Sequence, residues 1–369
     1  MRPTRIIISG GGTGGHIFPA IAIANALKRR EPACEILFVG AEGRMEMEKV
    51  PAAGYKIVGL KISGIQRGSI LKNLSLPFKV VGSLRKALQL LAEFKPHVVV
   101  GVGGYASGPI LFAASLKNIP YLIQEQNSYA GITNKWLGKK AAKICVAFDH
   151  MDQFFPASRI LKTGNPVRQE VINVTDKHLL GAELFKLDPS KKTILVTGGS
   201  LGAGTLNKSL EKHIQEIVDQ DVQLVWQTGK YYYAGIIERL GLDFHPNVRI
   251  LEFLNRMDLA YATADVIISR AGAGTIAELC LVKKPVVLVP SPNVAEDHQT
   301  KNAMALAKNN AAIIVVDRSA EDTLVSTTLA LLNDVKKCEE LSLNIGEMAL
   351  PEADELIATA IFELVEKKN

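Results

Sequence analysis

His16 directly follows the run Gly10-Gly11-Gly12-Thr13-Gly14-Gly15. A helix starting there would disfavour a cation at its first turn, so the imidazole should tend to stay neutral and able to accept a proton. A histidine that merely caps or packs the helix is the alternative. Glu125, within Gln124-Glu125-Gln126-Asn127, ends an apolar run. It is either a second candidate base or a carboxylate that accepts the N–H groups of a turn. Glu278 lies about one turn beyond Gly272-Ala273-Gly274-Thr275. There it could accept two hydrogen bonds from a ribose diol while the helix start faces a diphosphate, or simply complement the helix dipole. Arg270 is suited to a phosphate or to a surface ion pair. Gln299 could bond a sugar hydroxyl, with Asp297 and His298 as its partners or as a helix cap. Asp219-Gln220-Asp221 has the form of a metal-binding DxD but precedes an apolar run, so a solvated turn is expected.

The glycines themselves suit a nucleotide. Gly10-x-Gly12-x-x-Gly15 fits GxGxxG, in which bare backbone approaches a phosphate at a helix N-terminus. A dinucleotide site would also want an acid at the end of the second strand, and Phe38-Val39-Gly40 has none, with Glu42 only beyond it. No lysine follows the turn, which excludes a P-loop. Gly198-Gly199-Ser200-Leu201-Gly202-Ala203 is a second turn of this kind, able to cradle a phosphate with backbone N–H groups and the Ser200 hydroxyl.

The elements that must hold these residues alternate. Arg5–Ser9, Glu35–Gly40, His97–Gly104, Tyr121–Asn127 and Lys143–Phe148 are predicted strands, and Ala20–Arg30 has helical spacing. The strand–glycine–helix pattern restarts at Lys191, so that Gly198 aligns on Gly10 about half a chain further on. Val222–Gly229, Val248–Leu254, Asp265–Leu279 (which runs on through a glycine turn) and Pro285–Pro290 follow in the same alternation. Strands separated by helices mean parallel sheets, and two restarts mean two doubly wound domains. Their ligands belong at the carboxyl ends of the strands, where the glycine turns lie. Thr163–Arg168 (TGNPVR) is a candidate linker.

A chain of 369 residues suits two domains. With 47% hydrophobic and 22% charged residues it is globular, not disordered. No apolar run reaches the roughly 18 residues of a membrane span. The opening residues lack the pattern of a signal peptide. Four scattered cysteines suit a reducing compartment, so a cytoplasmic protein is the default. Residues 1–164 carry 22 Lys and Arg against 9 Asp and Glu, and residues 165–369 carry 21 against 28. The basic half is expected to face an anionic surface. Between Lys61 and Lys95, seven basic residues and one acid are mixed with leucines, valines and phenylalanines, a composition that adsorbs to anionic lipid.

GGTGGHIFPA, GVGGYASGP, EQN…AGITNKWL, TGNPVR, GGSLGA, RAGAGTIAE and DHQTKNA occur in this order along nearly the whole chain. Together they resemble the MurG family of UDP-N-acetylglucosamine transferases acting on undecaprenyl-pyrophosphoryl-N-acetylmuramyl-pentapeptide. The resemblance implies an α/β GT-B fold, with two Rossmann-like doubly wound parallel-sheet domains facing across a cleft. It implies an acceptor-side, membrane-facing domain at 1–163, with a C-terminal helix at 353–369 packing back on it, and a donor domain at 164–352. The implied reaction is inverting transfer of N-acetylglucosamine from UDP-GlcNAc to the C4 hydroxyl of lipid I, giving lipid II. No cofactor, metal or nucleic acid is implied. The implied partners are UDP-GlcNAc, lipid I, an anionic membrane surface on the cytoplasmic side of the inner membrane, and other cell-wall synthesis or division proteins.

Carried over by position, Thr13, Gly14 and Gly15 match the first-domain donor loop, and His16 the proposed base, with Glu125 second. Asn127, Arg168 and Gln299 match donor contacts, Ser200 the diphosphate loop, and Leu254 a position whose backbone meets uracil. Ala273, Gly274, Thr275, Ile276, Ala277 and Glu278 match the helix that holds phosphate and ribose. Gln124 stands where the family often has histidine, and Gly274 where a bulkier residue is familiar. A sugar-nucleotide epimerase on the same fold, an NAD(P)-dependent reductase and a non-catalytic nucleotide-binding protein are the rival functions.

Overall fold

The computed structural model describes residues 3–62, 76–167, 171, 173–199, 201–294 and 297–367, without the side chains of 76–78. Contacts divide the chain into Met1–Val167 with Pro351–Asn369, and Arg168–Leu350.

The first unit is built on seven parallel strands: β1 (Arg5–Gly10), β2 (Glu35–Ala41), β3 (Lys56–Leu60), β4 (Val98–Gly103), β5 (Tyr121–Glu125), β6 (Lys143–Val146) and β7 (Ile160–Lys162). Their spatial order is β3-β2-β1-β4-β5-β6-β7. β1, β4 and β5 are runs of Ile, Val and Leu buried on both faces, as expected of strands covered by helices on either side. The helices are α1 (Gly14–Arg30), α2 (Glu46–Ala52), α3 (Leu76–Phe94), α4 (Ser107–Leu116) and α5 (Ile132–Gly138).

The second unit repeats the plan with β8 (Thr193–Thr197), β9 (Gln223–Gln227), β10 (Val248–Leu251), β11 (Val266–Ser269), β12 (Val286–Leu288) and β13 (Ile313–Ile314), ordered β10-β9-β8-β11-β12-β13 and all parallel. Its helices are α6 (His178–Phe185), α7 (Gly204–Asp219), α8 (Tyr233–Leu240), α9 (Met257–Thr263), α10 (Ala273–Val282), α11 (His298–Ala307), α12 (Asp317–Asn333) and α13 (Val335–Glu347). Trp226 and Tyr261 are its largest fully buried side chains. Strand order reverses between β1 and β4 in one sheet and between β8 and β11 in the other. Such switch points open crevices at the carboxyl ends of the strands, and each glycine turn leaves the sheet at one of them.

The first helix begins at Gly14, ahead of the helical spacing read from Ala20, so His16 lies in its first turn as expected. TGNPVR contains the boundary between the two units, as expected of a linker, but its described residues are held in place. Thr163–Val167 is buried, and the N–H groups of Thr163 and Gly164 both donate to Val146 O, at 3.0 and 3.1 Å. Burial also keeps the thiols inert, pushing Cys145 and Cys280 up to about 12.

The last helix, α14 (Ala353–Glu366), belongs to the first unit. Its Ile357, Ile361, Leu364 and Val365 complete the core beneath α1 and β4. Arg29 secures it from α1, reaching the buried Asp354 at 2.6 Å and Glu355 at 2.7 Å. Because Ile361 is fully buried, Ile361→Ala should lower the first unit's stability by about 2–5 kcal/mol, measured as a lower thermal midpoint.

Candidate active site

In the first unit the glycine run occupies the turn from β1 into α1. Its shape is set from below by Glu46 of α2, fully buried, whose Oε2 accepts from Gly12 N and Oε1 from Ala41 N, both at 2.9 Å. A Cβ at Gly11 would lie 2.1 Å from Glu46 Oε1, so any side chain there would have to displace that carboxylate. An internal carboxylate therefore already accepts the Gly12 N–H that a phosphate at this loop would otherwise take. That arrangement speaks against the reductase, beyond the missing acid at the second strand.

His16 stands in the first turn of α1, half-buried, with Thr13 and Gly15 exposed and Gly14 half-buried beside it. Its Nδ1 lies 3.0 Å from Gln126 Oε1. β5 thereby brings the 124–127 segment to the histidine, as its place at the end of a neighbouring strand requires. Glu125 does not face outward. It is 2% exposed, and its Oε1 accepts from Asn127 N at 3.1 Å and Asn127 Nδ2 at 3.4 Å. Its Oε2 accepts from Gly131 N at 3.1 Å and Asn134 Nδ2 at 2.8 Å. This corrects the expectation of Glu125 as an alternative base. Its lone pairs are spent on folding the 126–134 loop, which carries Asn127. Gln124, in place of the family's histidine, is fully buried.

In the second unit the loops after β8, β10, β11 and β12 share one edge, as parallel strands dictate. The turn after β8 has the same glycine form but a different support. Gly202 N donates to Gly199 O, as does Gln227 Nε2, each at 2.9 Å, and Thr197 Oγ1 donates to Gln227 Oε1 at 2.7 Å. Its side-chain support is a neutral amide at the end of β9, in contrast to the carboxylate beneath the first unit's turn. Ser200 and Arg168 lie outside the described residues.

α10 starts at Ala273, capped by Gly272, whose lack of a side chain leaves the first N–H groups to other acceptors. Gly274 faces open space, so the familiar bulkier residue would fit and its absence costs no packing. Thr275 and Ala277 are half-buried. Ile276, within the carried-over segment, is 3% exposed, and its N–H donates to Gly272 O at 2.9 Å, so its side chain anchors the helix in the core. Glu278 is oriented by the buried Tyr261, whose hydroxyl donates to Oε2 at 3.0 Å. Arg270 is not a surface ion pair. Its Nη1 donates to Val289 O at 3.0 Å and pairs with Asp317 at 2.5 Å, largely out of solvent. Gln299, in the first turn of α11, accepts Ser291 N at 2.9 Å through Oε1, leaving Nε2 as the donor a sugar contact would use. Asp297 caps that turn, accepting Thr300 Oγ1 at 2.7 Å. The side chain of Leu254 is buried, so its main chain is what it can offer. Asp219 and Asp221 sit at the amino end of β9, where Asp221 is bonded by Lys191 and Asn247. They are the expected solvated turn.

Glu46, Gln126 and Tyr261 were missed because each acts through a candidate residue and carries no motif. The one available signal was an acid on the helix that follows the second strand.

The described geometry thus places a histidine at one switch point, and a glycine turn with the carboxylate of Glu278, bonded by Tyr261, at the other. Residues 6–146 match the glycosyltransferase family 28 N-terminal domain, and residues 193–357 match its C-terminal domain. The chain is a glycosyltransferase of that family. The UDP-N-acetylglucosamine--N-acetylmuramyl-(pentapeptide) pyrophosphoryl-undecaprenol N-acetylglucosamine transferase of Parabacteroides distasonis is 54% identical over 368 residues, covering 100% of both chains. The enzyme of that name from Flavobacterium psychrophilum is 52% identical over 369 residues, again covering 100% of both. Acinetobacter baumannii MurG superimposes with a TM-score of 0.77 at 30% identity, over 98% of this chain and 100% of its own. The chain belongs to the MurG family of these transferases. UDP-N-acetylglucosamine 2-epimerases, such as that of Neisseria meningitidis at 15% identity and TM-score 0.69, share the fold alone.

Beside Leu254, the loop after β10 is held by Asp258, 2% exposed. Arg256 donates to both its oxygens, at 2.9 and 2.8 Å, and Lys177 to one at 3.0 Å. The Arg256 hydrogen bonds, with Lys177 assisting against desolvation, hold its carboxyl well below the usual carboxylate range. A carboxyl depressed on folding adds stability that is fully present above its unfolded value of about 3.9 and is lost as pH falls towards its folded value. Asp258→Asn should therefore destabilise the second unit by about 1.5–3 kcal/mol at pH 7. In urea titrations at stepped pH, the difference from the unsubstituted protein should shrink below about pH 4.

Proposed function

We propose that this chain transfers N-acetylglucosamine from UDP-N-acetylglucosamine to the C4 hydroxyl of the muramyl sugar of lipid I, with inversion, forming lipid II. The observation that carries this is full-length identity above half to transferases of that name. His16 serves as base. The acceptor O4 bonds to the anomeric carbon, the bond from that carbon to the UDP oxygen breaks, and the O4 proton passes to His16. The charge gathering on UDP falls to the N–H groups at the start of α10 and to the turn after β8, including Ser200. Glu278 takes the ribose diol, the Leu254 main chain the uracil, and Asn127, Arg168 and Gln299 the donor, with Thr13, Gly14 and Gly15 beside the transferred sugar. No metal or cofactor takes part in this scheme.

The test is labelled UDP-N-acetylglucosamine with lipid I, scored for lipid II, in the presence and absence of EDTA. Product should form equally in both. His16→Ala should cut kcat by about 10²–10⁴-fold with the donor KM little changed, whereas Glu278→Ala should act mainly on the donor KM.

The acceptor's lipid calls for a membrane surface, and the enzyme is proposed to lie on the cytoplasmic face of the inner membrane. No helix among the described residues is long and apolar enough to cross a bilayer. Of the basic stretch from Lys61 to Lys95, residues 63–75 lie outside the described residues. On α3, Val80 and Val81 are exposed, and α4 and α5 beside it add exposed Leu116, Ile132 and Trp136. Lys117 follows α4, and Lys139 and Lys140 follow α5, all three exposed. An apolar surface edged by lysines adsorbs to anionic lipid without spanning it. In liposome flotation, the protein should rise with anionic vesicles more than with neutral ones, and Trp136→Ser with Ile132→Ser should weaken both.

A further inference from the structure

The contacts behind His16 form a chain of side-chain amides whose directions are all determined. Gln126 Nε2 lies 2.5 Å from Val102 O and 3.3 Å from Gln124 O. Both are carbonyls and accept only. Reversing the amide would bring two acceptor oxygens together without a proton, so the NH₂ must point there and Oε1 must face His16. At the other end, Asn165 Nδ2 donates to Gln126 O at 2.9 Å, so Asn165 Oδ1 faces inward and accepts from Gln124 Nε2 at 2.8 Å. That leaves Gln124 Oε1 to accept from Gln126 Nε2. A main-chain carbonyl at each end thus orients all three amides. Gln124, Gln126 and Asn165 are all buried, so water does not compete for these bonds.

Gln126 Oε1 can only accept, so the facing Nδ1 of His16 must donate. Gly103, in the left-handed region at φ +103°, permits this approach of the ring, since a Cβ there would lie 2.7 Å from Nδ1. We propose that Gln126, oriented by Gln124 and Asn165, is a positioning residue that holds His16 in the Nδ1–H tautomer and so makes Nε2 the nitrogen that receives the acceptor's proton. The catalytic half of this rests on His16 being the base. The tautomer follows from the amide chain alone. The device has the logic of a base oriented by a third group, with a neutral amide in place of a carboxylate, so the ring is directed without being drawn towards its charged form. Gln124 also has a defined chemical equivalent here. A neutral imidazole offers one acceptor and one donor nitrogen, the polarity this link requires.

Nitrogen-15 NMR of histidine-labelled full-length protein above the imidazole pKa reads the tautomer directly. His16 should show a protonated Nδ1 and an unprotonated Nε2, its resonances assigned by their loss in His16→Ala. Gln126→Met removes the acceptor at similar volume. It should shift the population towards Nε2–H, which free imidazole side chains favour in water, and lower kcat at least about tenfold with the donor KM unchanged. Gln124→Leu should shift the population likewise, and Gln124→His should restore Nδ1–H. An Nε2–H ring in the unsubstituted protein overturns the proposal, and needs no variant to fold. So does a Gln126→Met protein with unchanged tautomer and rate. An Nδ1–H ring together with full turnover of His16→Ala would leave the tautomer assignment standing and remove His16 as the base.

Discussion

The carboxylate of Glu46, shut under the glycine turn and accepting the N–H groups of Gly12 and Ala41, is the constraint on which the first unit's working edge depends. It draws the turn after β1 down onto the end of β2 and fixes where α1 can begin. The start of α1 decides where His16 stands. A side chain at Gly11 would have to displace this carboxylate. A run that reads as permission for a phosphate to come close is, in this unit, permission for an internal acid to do so.

The same pattern serves differently in the second unit. There Gln227, a neutral amide, braces the turn after β8. Both turns follow the central strand of a doubly wound sheet, and both open at a switch point. The charge beneath them differs. On the proposed function this separates the work between the units, with proton transfer proposed at an edge already holding an anion and diphosphate binding at an edge braced by an amide. The acids and amides around each loop follow the same economy. Glu125 is consumed by folding the loop that carries Asn127, Tyr261 aims Glu278, and Asp317 restrains Arg270.

Most of the frame was legible from local pattern. Buried parallel strands are short runs of Val, Ile and Leu, and periodicity exposes them. The repeat of strand, glycine turn and helix marked both halves, and the order of strands then placed both turns at carboxyl ends. Errors came where a choice was settled by contacts distant in sequence. Glu125 was read as a possible base because its strand-end position is visible, while the four donors that occupy it are not. TGNPVR, whose composition is that of a linker, does contain the boundary between the units, while Val146 and Gln126 bind its described residues.

The sequence by itself determined the class of fold, the location of both glycine turns and the identity of the ionisable group at the first of them, since strand periodicity, turn chemistry and residue type are local properties. Only the tertiary structure decided which acid supports a loop, which amide faces the histidine and which carboxylate the buried tyrosine orients. Those outcomes depend on pairings such as Gly12 with Glu46, His16 with Gln126 and Gln124 with Asn165. Their partners lie 34, 110 and 41 residues apart and meet only once the sheet has set its strand order.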